Sequence, residues 1–104
     1  MRVDVYGRFL ISGECVPVDA RWRRLAATWV ARTLERITPV PARVSVTLTE
    51  TLLPDGEIHT RCEIRAWLKD ECRLVVDDTG PTPYAALEKN IDRLVASERP
   101  PPRP

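Results

Sequence analysis

The stretch from residue 57 to residue 95 constrains the fold more than any other part of the chain. Residues 57–68 alternate strictly between apolar and polar side chains, which predicts a strand with one buried face. A charged turn at residues 69–71 leads into the short β-branched segment 72–77, the predicted second strand of a hairpin. The inward series of the first strand is Ile58, Thr60, Cys62, Ile64, Ala66 and Leu68.

A helix is predicted directly after this hairpin. Thr82 can serve as its N-cap, and Pro83 occupies the first helical position, where a missing N–H costs nothing. The apolar residues that follow recur at helical spacing, so they must cover an apolar surface, and the buried face of the hairpin is the nearest one. These residues are Tyr84, Leu87, Ile91, Leu94 and Val95.

The earlier part of the chain predicts two more strands and one more helix. Residues 1–7 alternate as a short first strand, and residues 8–18 read as irregular because they contain Gly and Pro. Asp19 is a good N-cap for a helix that runs to about Ile37, and residues 42–52 alternate again as a strand. The apolar stripe predicted for this helix is Trp22, Leu25, Ala26, Trp29, Val30, Thr33, Leu34 and Ile37.

The predicted order is therefore β-α-β-β-β-α, an α+β fold. The last three strands form an antiparallel meander, and the first strand pairs with it in parallel through the helical crossover. Because each helix has one apolar face, both should cover the same side of a four-stranded mixed sheet and give a two-layer sandwich. Residues 1–98 are predicted to form one domain, and residues 99–104 a Pro-rich disordered tail.

Composition narrows the class of protein. The chain has 104 residues and a net charge of +1, and no apolar run approaches the ~20 residues that span a bilayer. No signal sequence opens it, and three widely spaced cysteines form neither a disulfide framework nor a zinc pattern. We therefore expect a cytoplasmic protein in which Cys62 and Cys72 are small buried apolar residues.

The residues give little support for catalysis. The single histidine, His59, falls on the outer face of its strand, where a solvated role is the ordinary one. No Ser or Cys stands in a nucleophile motif, and no Gly-rich loop could hold a phosphate. Asp77 and Asp78 lack a third ligand nearby and are better explained as turn-capping residues. We expect a protein that is not an enzyme and has no metal or cofactor.

Basic residues are unevenly distributed. Residues 1–41 carry seven Arg against four acidic residues, a net charge of +3, whereas residues 42–81 carry five basic and eight acidic residues, a net charge of −3. The first helix presents Arg21, Arg24 and Arg32 along one line, and guanidinium groups suit bidentate phosphate contact. On the second helix, Lys89 and Arg93 face away from the apolar stripe and could extend this patch. Alternatively, these are solvated faces with local pairs to Glu35, Glu88 and Asp92.

The outer face of the sheet is a second candidate surface. Its basic and aromatic residues suggest a face that binds RNA, or one that a protein partner or a second copy covers. A contact through phosphates would weaken steeply with salt, whereas an apolar protein interface would barely respond. The residues concerned are Arg2, Tyr6, Arg43, Arg61, Arg65, Trp67 and Arg73.

Two segments resemble a known family, the short ribosome hibernation promoting factors, also called ribosome-associated inhibitors or sigma-factor modulation proteins. Residues 74–94 (LVVDDTGPTPYAALEKNIDRL) are similar to the family's strand, acidic turn and Tyr-Ala-Ala helix. Residues 1–8 (MRVDVYGR) resemble its opening strand, and the predicted order of elements is the family's fold. The link into the first helix, around residues 13–17, is longer than is usual in the family.

This resemblance implies a non-enzymatic factor that binds the small ribosomal subunit. It would occupy the mRNA and tRNA channel through basic helix faces and inhibit translation during stress or stationary phase. Tyr84 matches the family's helix-entry tyrosine, which anchors that helix. The alternative is a regulatory module that kept the fold and binds a protein partner, or itself, through the open sheet face. The positions that match the family's Lys or Arg are Arg8, Arg23, Arg32, Lys89 and Arg93; with Arg21 and Arg24 they form the predicted RNA-binding set.

Overall fold

The computed structural model describes residues 1–11, 14–36 and 40–98. Within these ranges, five strands form one mixed sheet in the order β2-β1-β3-β4-β5, and two helices pack against it. The α+β class is confirmed, but the predicted number of four strands is wrong. The elements are β1 (Arg2–Ile11), β2 (Glu14–Pro17), α1 (Ala20–Leu34), β3 (Arg43–Leu52), β4 (Ile58–Leu68), β5 (Glu71–Gly80) and α2 (Pro83–Glu98).

The predicted meander and crossover are both present. β3, β4 and β5 pair in sequence as antiparallel neighbours, while β1 pairs in parallel with β3, with Val5 opposite Val46. The chain between β1 and β3 contains α1, since parallel neighbours need a long connection. Both helices therefore run against the direction of β1, β3 and β5.

The additional strand lies where residues 8–18 were predicted to be irregular. β1 continues past Gly7 to Ile11, and β2 folds back on it, with Phe9 opposite Val16. Gly7 has a φ of 143°, a backbone conformation that glycine adopts readily, so it redirects the strand instead of ending it. Phe9 continues the inward series and packs edge-on against Trp22, with ring centroids 6.0 Å apart.

One apolar core joins both helices to the same side of the sheet, as predicted. It also contains the polar side chain of Asn90, which is fully buried on α2 and whose Nδ2 donates a hydrogen bond to the Cys62 carbonyl at 2.6 Å. This bond ties α2 to a central strand and satisfies the buried Nδ2 group, whereas Asn90 Oδ1 has no hydrogen-bond partner among the described residues. The fully buried apolar side chains include Val30, Leu34, Val44, Val46, Leu48, Ile64, Leu87 and Leu94.

Helix α1 begins as its sequence predicts and ends earlier. The Asp19 carboxylate accepts a hydrogen bond from the Trp22 amide at 2.9 Å, which is the expected cap. The helix ends at Leu34, whereas the predicted end at Ile37 lies outside the described residues, as does the 99–104 tail. Leu25 was predicted to be in the buried stripe but is 44% exposed, because it lies at the margin of that stripe.

Helix α2 follows the predicted start closely. Thr82 Oγ1 accepts a hydrogen bond from the Ala85 amide at 3.1 Å, and Pro83 is the first helical residue. β5 runs on to Gly80, beyond its predicted end. The absence of a side chain at Gly80 lets the end of β5 lie close to the start of α2, because a Cβ there would lie 2.8 Å from the Ala86 nitrogen. Tyr84 and Val95 remain partly exposed at the side of the helix, unlike the rest of the predicted stripe.

The cysteines are only partly as predicted. Cys62 is buried, and burial raises the pKa of its thiol to about 11. Cys72 is exposed, as is Cys15, so the prediction of a buried Cys72 is wrong. Cys72 lies opposite Trp67 at a bulge near the hairpin turn, where side chains no longer alternate regularly. None of the described helices is long and apolar enough to cross a membrane.

Candidate nucleic-acid interface

Helix α1 is a purely basic helix. Its 15 residues include four arginines and no acidic residue, and all four guanidinium side chains are exposed. None of the four forms an ion pair with any described residue, and neither does Arg36 just beyond the helix. Unpaired guanidinium groups keep their full capacity to bind phosphate oxygens. The four arginines of the helix are Arg21, Arg23, Arg24 and Arg32.

The local acidic partners considered from the sequence do not neutralise this helix. Glu35, Glu88 and Asp92 form no ion pair with a described arginine of α1. Placing several cations on one short helix without counter-charges is unfavourable for the isolated helix, because like charges three and four residues apart repel. The packing of the opposite, apolar face offsets that repulsion, and the solvent-facing side is left with an attraction for polyanions.

A groove between the two helices extends the basic surface. It has a volume of about 340 Å³, and Arg32 and Arg36 stand at its rim beside the apolar side chains of Ile91 and Val95. Trp29 also lines it and contacts Tyr84, with ring centroids 5.3 Å apart. The Tyr84 ring thus anchors the start of α2 against α1.

Arg36 is the residue that the sequence prediction omitted from the site. It lies four positions after Arg32, and this spacing on one helical face was the available signal. The structure places it on the groove shared by both helices.

Lys89 and Arg93 do not join the arginines of α1. They lie on the side of α2 that faces the edge strand β5, where Lys89 Nζ donates to the Thr79 carbonyl at 3.0 Å. Arg93 Nε lies 3.0 Å from Asp78 Oδ2, and its Nη1 donates to the Asp77 carbonyl at 3.4 Å. Their contacts with β5 turn this pair away from α1, which packs on α2 through Trp29 and Tyr84, so these cations form a second and partly neutralised cluster.

Arg8 lies on a third surface. Its register partner in β1–β3 pairing is Thr49, an exposed residue of the open sheet face, so Arg8 projects from the side opposite the helices. The predicted RNA-binding set is therefore divided among three places in the fold. Four members share α1, two share the β5 side of α2, and Arg8 stands alone.

Apart from Arg8, the described arginines of the open sheet face are already engaged. Arg61 donates from Nε to Asp77 Oδ1 at 3.0 Å and also pairs with Glu63, which in turn accepts from Arg65 at 2.7 Å. The hydrogen bonds from Arg61 lower the pKa of the Asp77 carboxyl, and the same contact raises the pKa of Arg61. Arg2 pairs with Asp4, Arg73 with Glu71, and Arg43 stacks on the Trp67 ring at 4.3 Å.

Chemistry-bearing clusters are absent from the described ranges. No group of three or more His, Cys, Asp or Glu residues there could hold a metal ion. His59 is half-buried on the outer face of β4, opposite Thr51, as the alternation predicted. The arrangement can bind anions through fixed guanidinium groups.

Comparison with known proteins adds a likeness at the level of fold. No protein-family model matches the chain, and no curated protein matches it. Among solved structures, it is similar to a ribosomal subunit interface protein from Coxiella burnetii, with a TM-score of 0.63 and 14% sequence identity. The superposition covers 94% of this chain and 93% of that one, so the two share their whole architecture.

Proposed function

We propose that this chain is a non-enzymatic ribosome-binding factor that occupies the mRNA and tRNA channel of the small subunit and inhibits translation under stress. The observation that carries the proposal is the set of exposed, unpaired arginines on α1, a helix with no acidic residue. The shared fold with a ribosomal subunit interface protein and the family resemblance of residues 74–94 support the same partner. A cytoplasmic location follows from that partner.

In this proposal, α1 binds rRNA phosphates by charge and shape. Arg21, Arg24 and Arg32 make the principal contacts, and Arg23 lies at the margin beside β1. Lys89 and Arg93 could bind phosphates only by giving up contacts with β5, so their contribution is smaller. Arg8 would contact RNA only where the nucleic acid also reaches the open face.

The alternative, a protein-binding module that uses the open sheet face, has weaker support. The most exposed apolar residues of that face are Tyr6 and Val75, on strands β1 and β5. Polar and ion-paired residues of β3 and β4 separate them, so no continuous apolar patch forms in the described part of this face. Large exposed apolar patches are what mark most protein interfaces.

Co-sedimentation with purified small ribosomal subunits across a salt series tests the proposal. Four phosphate contacts predict an affinity that falls about a hundredfold between about 50 and 200 mM salt. The double variant Arg21→Glu/Arg32→Glu should lose binding at low salt and should no longer inhibit translation in a purified system. Lys89→Glu/Arg93→Glu introduces the same charge change on the β5 side of α2 and should retain more binding.

Two outcomes would reject the proposal. One is a wild-type protein that stays in the supernatant even at low salt. The other is an Arg21→Glu/Arg32→Glu variant that is folded, as judged by circular dichroism, and still binds as the wild type does. A salt-insensitive interaction would favour the protein-binding alternative.

A further inference from the structure

One edge of the sheet is open along the first half of β1. β3 pairs with β1 from Arg2 to Arg8, whereas β2 pairs only with Arg8–Ile11 on the other side. No described strand pairs with the outer edge of residues 3–6. Exposed strand edges are sites where another chain can add a strand.

The backbone groups on this edge are oriented for pairing. The Arg2 amide donates to the Ala42 carbonyl at 3.1 Å, so Arg2, and by alternation Asp4 and Tyr6, direct their peptide groups toward β3. Val3 and Val5 consequently direct their N–H and C=O groups away from the sheet. The Gly7 carbonyl, next in this outward series, accepts from the Val18 amide at 3.3 Å, which shows that the edge can be paired.

A groove runs along the same edge, between β1 and α1. Its volume is about 420 Å³, and its apolar lining comes from Val3, Val5 and Ala27. Tyr6 and Asp4 also line it, and the Asp4 carboxylate is paired with Arg2 at 3.0 Å. Ala27 is only half-buried, and its small side chain leaves the groove unfilled. Arg23 and Arg24 line the groove from the helix side, and neither forms an ion pair with a described residue.

At the opposite edge of the sheet, side chains of α2 occupy backbone carbonyl groups of β5. On β5, Lys89 and Arg93 from α2 donate hydrogen bonds to the carbonyls of Thr79 and Asp77. Side-chain cations that occupy edge carbonyls prevent a further strand from adding there. The molecule therefore protects one edge and leaves the other accessible.

We propose that the open edge of β1 binds an extended acidic segment of another protein as an additional strand. Backbone pairing with Val3 and Val5 would give affinity, and alternate apolar side chains would enter the groove beside Ala27. Acidic side chains on the same, helix-facing side of the segment would pair with Arg23 and Arg24. A second copy of this chain fits less well, because two β1 edges brought together would oppose four arginines across the new interface.

Amide hydrogen exchange on the isotope-labelled full chain tests this proposal. The probes are a terminally blocked peptide in which every second residue is threonine and the intervening, groove-facing residues alternate between valine and glutamate, and its counterpart with lysine in place of glutamate. Addition of the acidic peptide should slow exchange at the amides of Val3 and Val5, while those of Asp4 and Tyr6, already bonded to β3, change little. The lysine peptide should leave exchange unchanged.

Two variants and one control make the test specific. Val3→Pro removes an outward donor without touching the β1–β3 ladder, and edge positions tolerate proline. Ala27→Leu fills the groove and leaves every charge in place. Each should weaken acidic-peptide binding about tenfold and preserve ribosome co-sedimentation. Arg32→Glu, remote from the groove, should weaken ribosome co-sedimentation and preserve acidic-peptide binding. Failure of this proposal is therefore distinguishable from failure of the ribosome proposal.

Several results would overturn the inference. These are absence of protection at Val3 and Val5 at saturating peptide, equal binding of the lysine peptide, and wild-type binding by a folded Ala27→Leu variant. Protection of the same amides in the protein alone, together with a dimer in sedimentation velocity, would assign the edge to a second copy instead. Protection by a short RNA oligonucleotide and not by the peptide would assign it to nucleic acid.

Discussion

Replacing Gly7 by alanine should destabilise the fold far more than replacing Gly56, although both glycines have a positive φ. An added Cβ at Gly7 would lie 1.7 Å from the Leu48 carbonyl oxygen, where real contacts are not shorter than 3.0 Å. β1 would have to move from β3 by at least the difference, 3.0 − 1.7 = 1.3 Å. At Gly56, with a φ of 87°, the added Cβ meets nothing within 4 Å.

The two costs can be estimated separately. Gly56→Ala carries only backbone strain, about 1–2 kcal/mol. Gly7→Ala carries comparable strain, the loss of about two ladder hydrogen bonds at about 1 kcal/mol each, and overpacking of about 1–3 kcal/mol. The sum, about 4–7 kcal/mol, is a large part of the 5–15 kcal/mol that typically stabilises a domain.

Urea denaturation followed by circular dichroism measures both effects. With a slope of about 1–3 kcal/mol per molar urea, Gly56→Ala should lower the midpoint by about 0.3–2 M. Gly7→Ala should lack a clear native baseline. If the free energies of unfolding of the two variants agree within about 1 kcal/mol, the close β1–β3 approach at Gly7 does not constrain the fold and the steric reasoning is wrong.

Three further predictions concern individual side chains. Arg61 lowers the pKa of Asp77, so the ion pair between them stabilises the fold at pH values above the usual carboxyl pKa, and this stabilisation is lost as the pH falls below about 4. Asp77→Asn should therefore reduce the dependence of the free energy of unfolding on pH in this acidic range. The exposed thiols of Cys15 and Cys72 should react rapidly with a thiol reagent, whereas the buried thiol of Cys62 should react only when the protein unfolds. Three rapidly reacting thiols in the native protein would contradict the burial of Cys62. Thr82→Ala removes the α2 cap and should lower the free energy of unfolding by about 1 kcal/mol in the same urea assay, whereas no change would show that the cap is dispensable.

Strong periodicity explains which parts of the fold could be predicted. Long alternating strands such as β3 and β4, and capped helices such as α1, carry several independent signals in the sequence, and the structure confirms them. β2 has only four residues, too few to show a period, and Gly7 resembled a strand end because glycine more often breaks strands than redirects them.

The candidate site was harder to predict for a related reason. Helical spacing shows that Lys89 and Arg93 lie on one face of α2, but it does not show which neighbour lies beside that face. That depends on sheet order, which places β5 at the outer edge on the side of α2 away from α1. The side of the sheet on which Arg8 lies likewise depends on β1 continuing in register past Gly7.

The sheet order also has a consequence for the way the chain folds. The meander and α2 are built from neighbouring segments, whereas β1 must wait for β3, which follows about forty positions later in the chain. At synthesis rates of about 5–20 residues per second, that wait lasts a few seconds. We therefore expect the meander to form the folding nucleus. During synthesis, the basic helix α1 therefore emerges from the ribosome before the sheet on which it packs has formed. It does so close to the rRNA that it is proposed to bind.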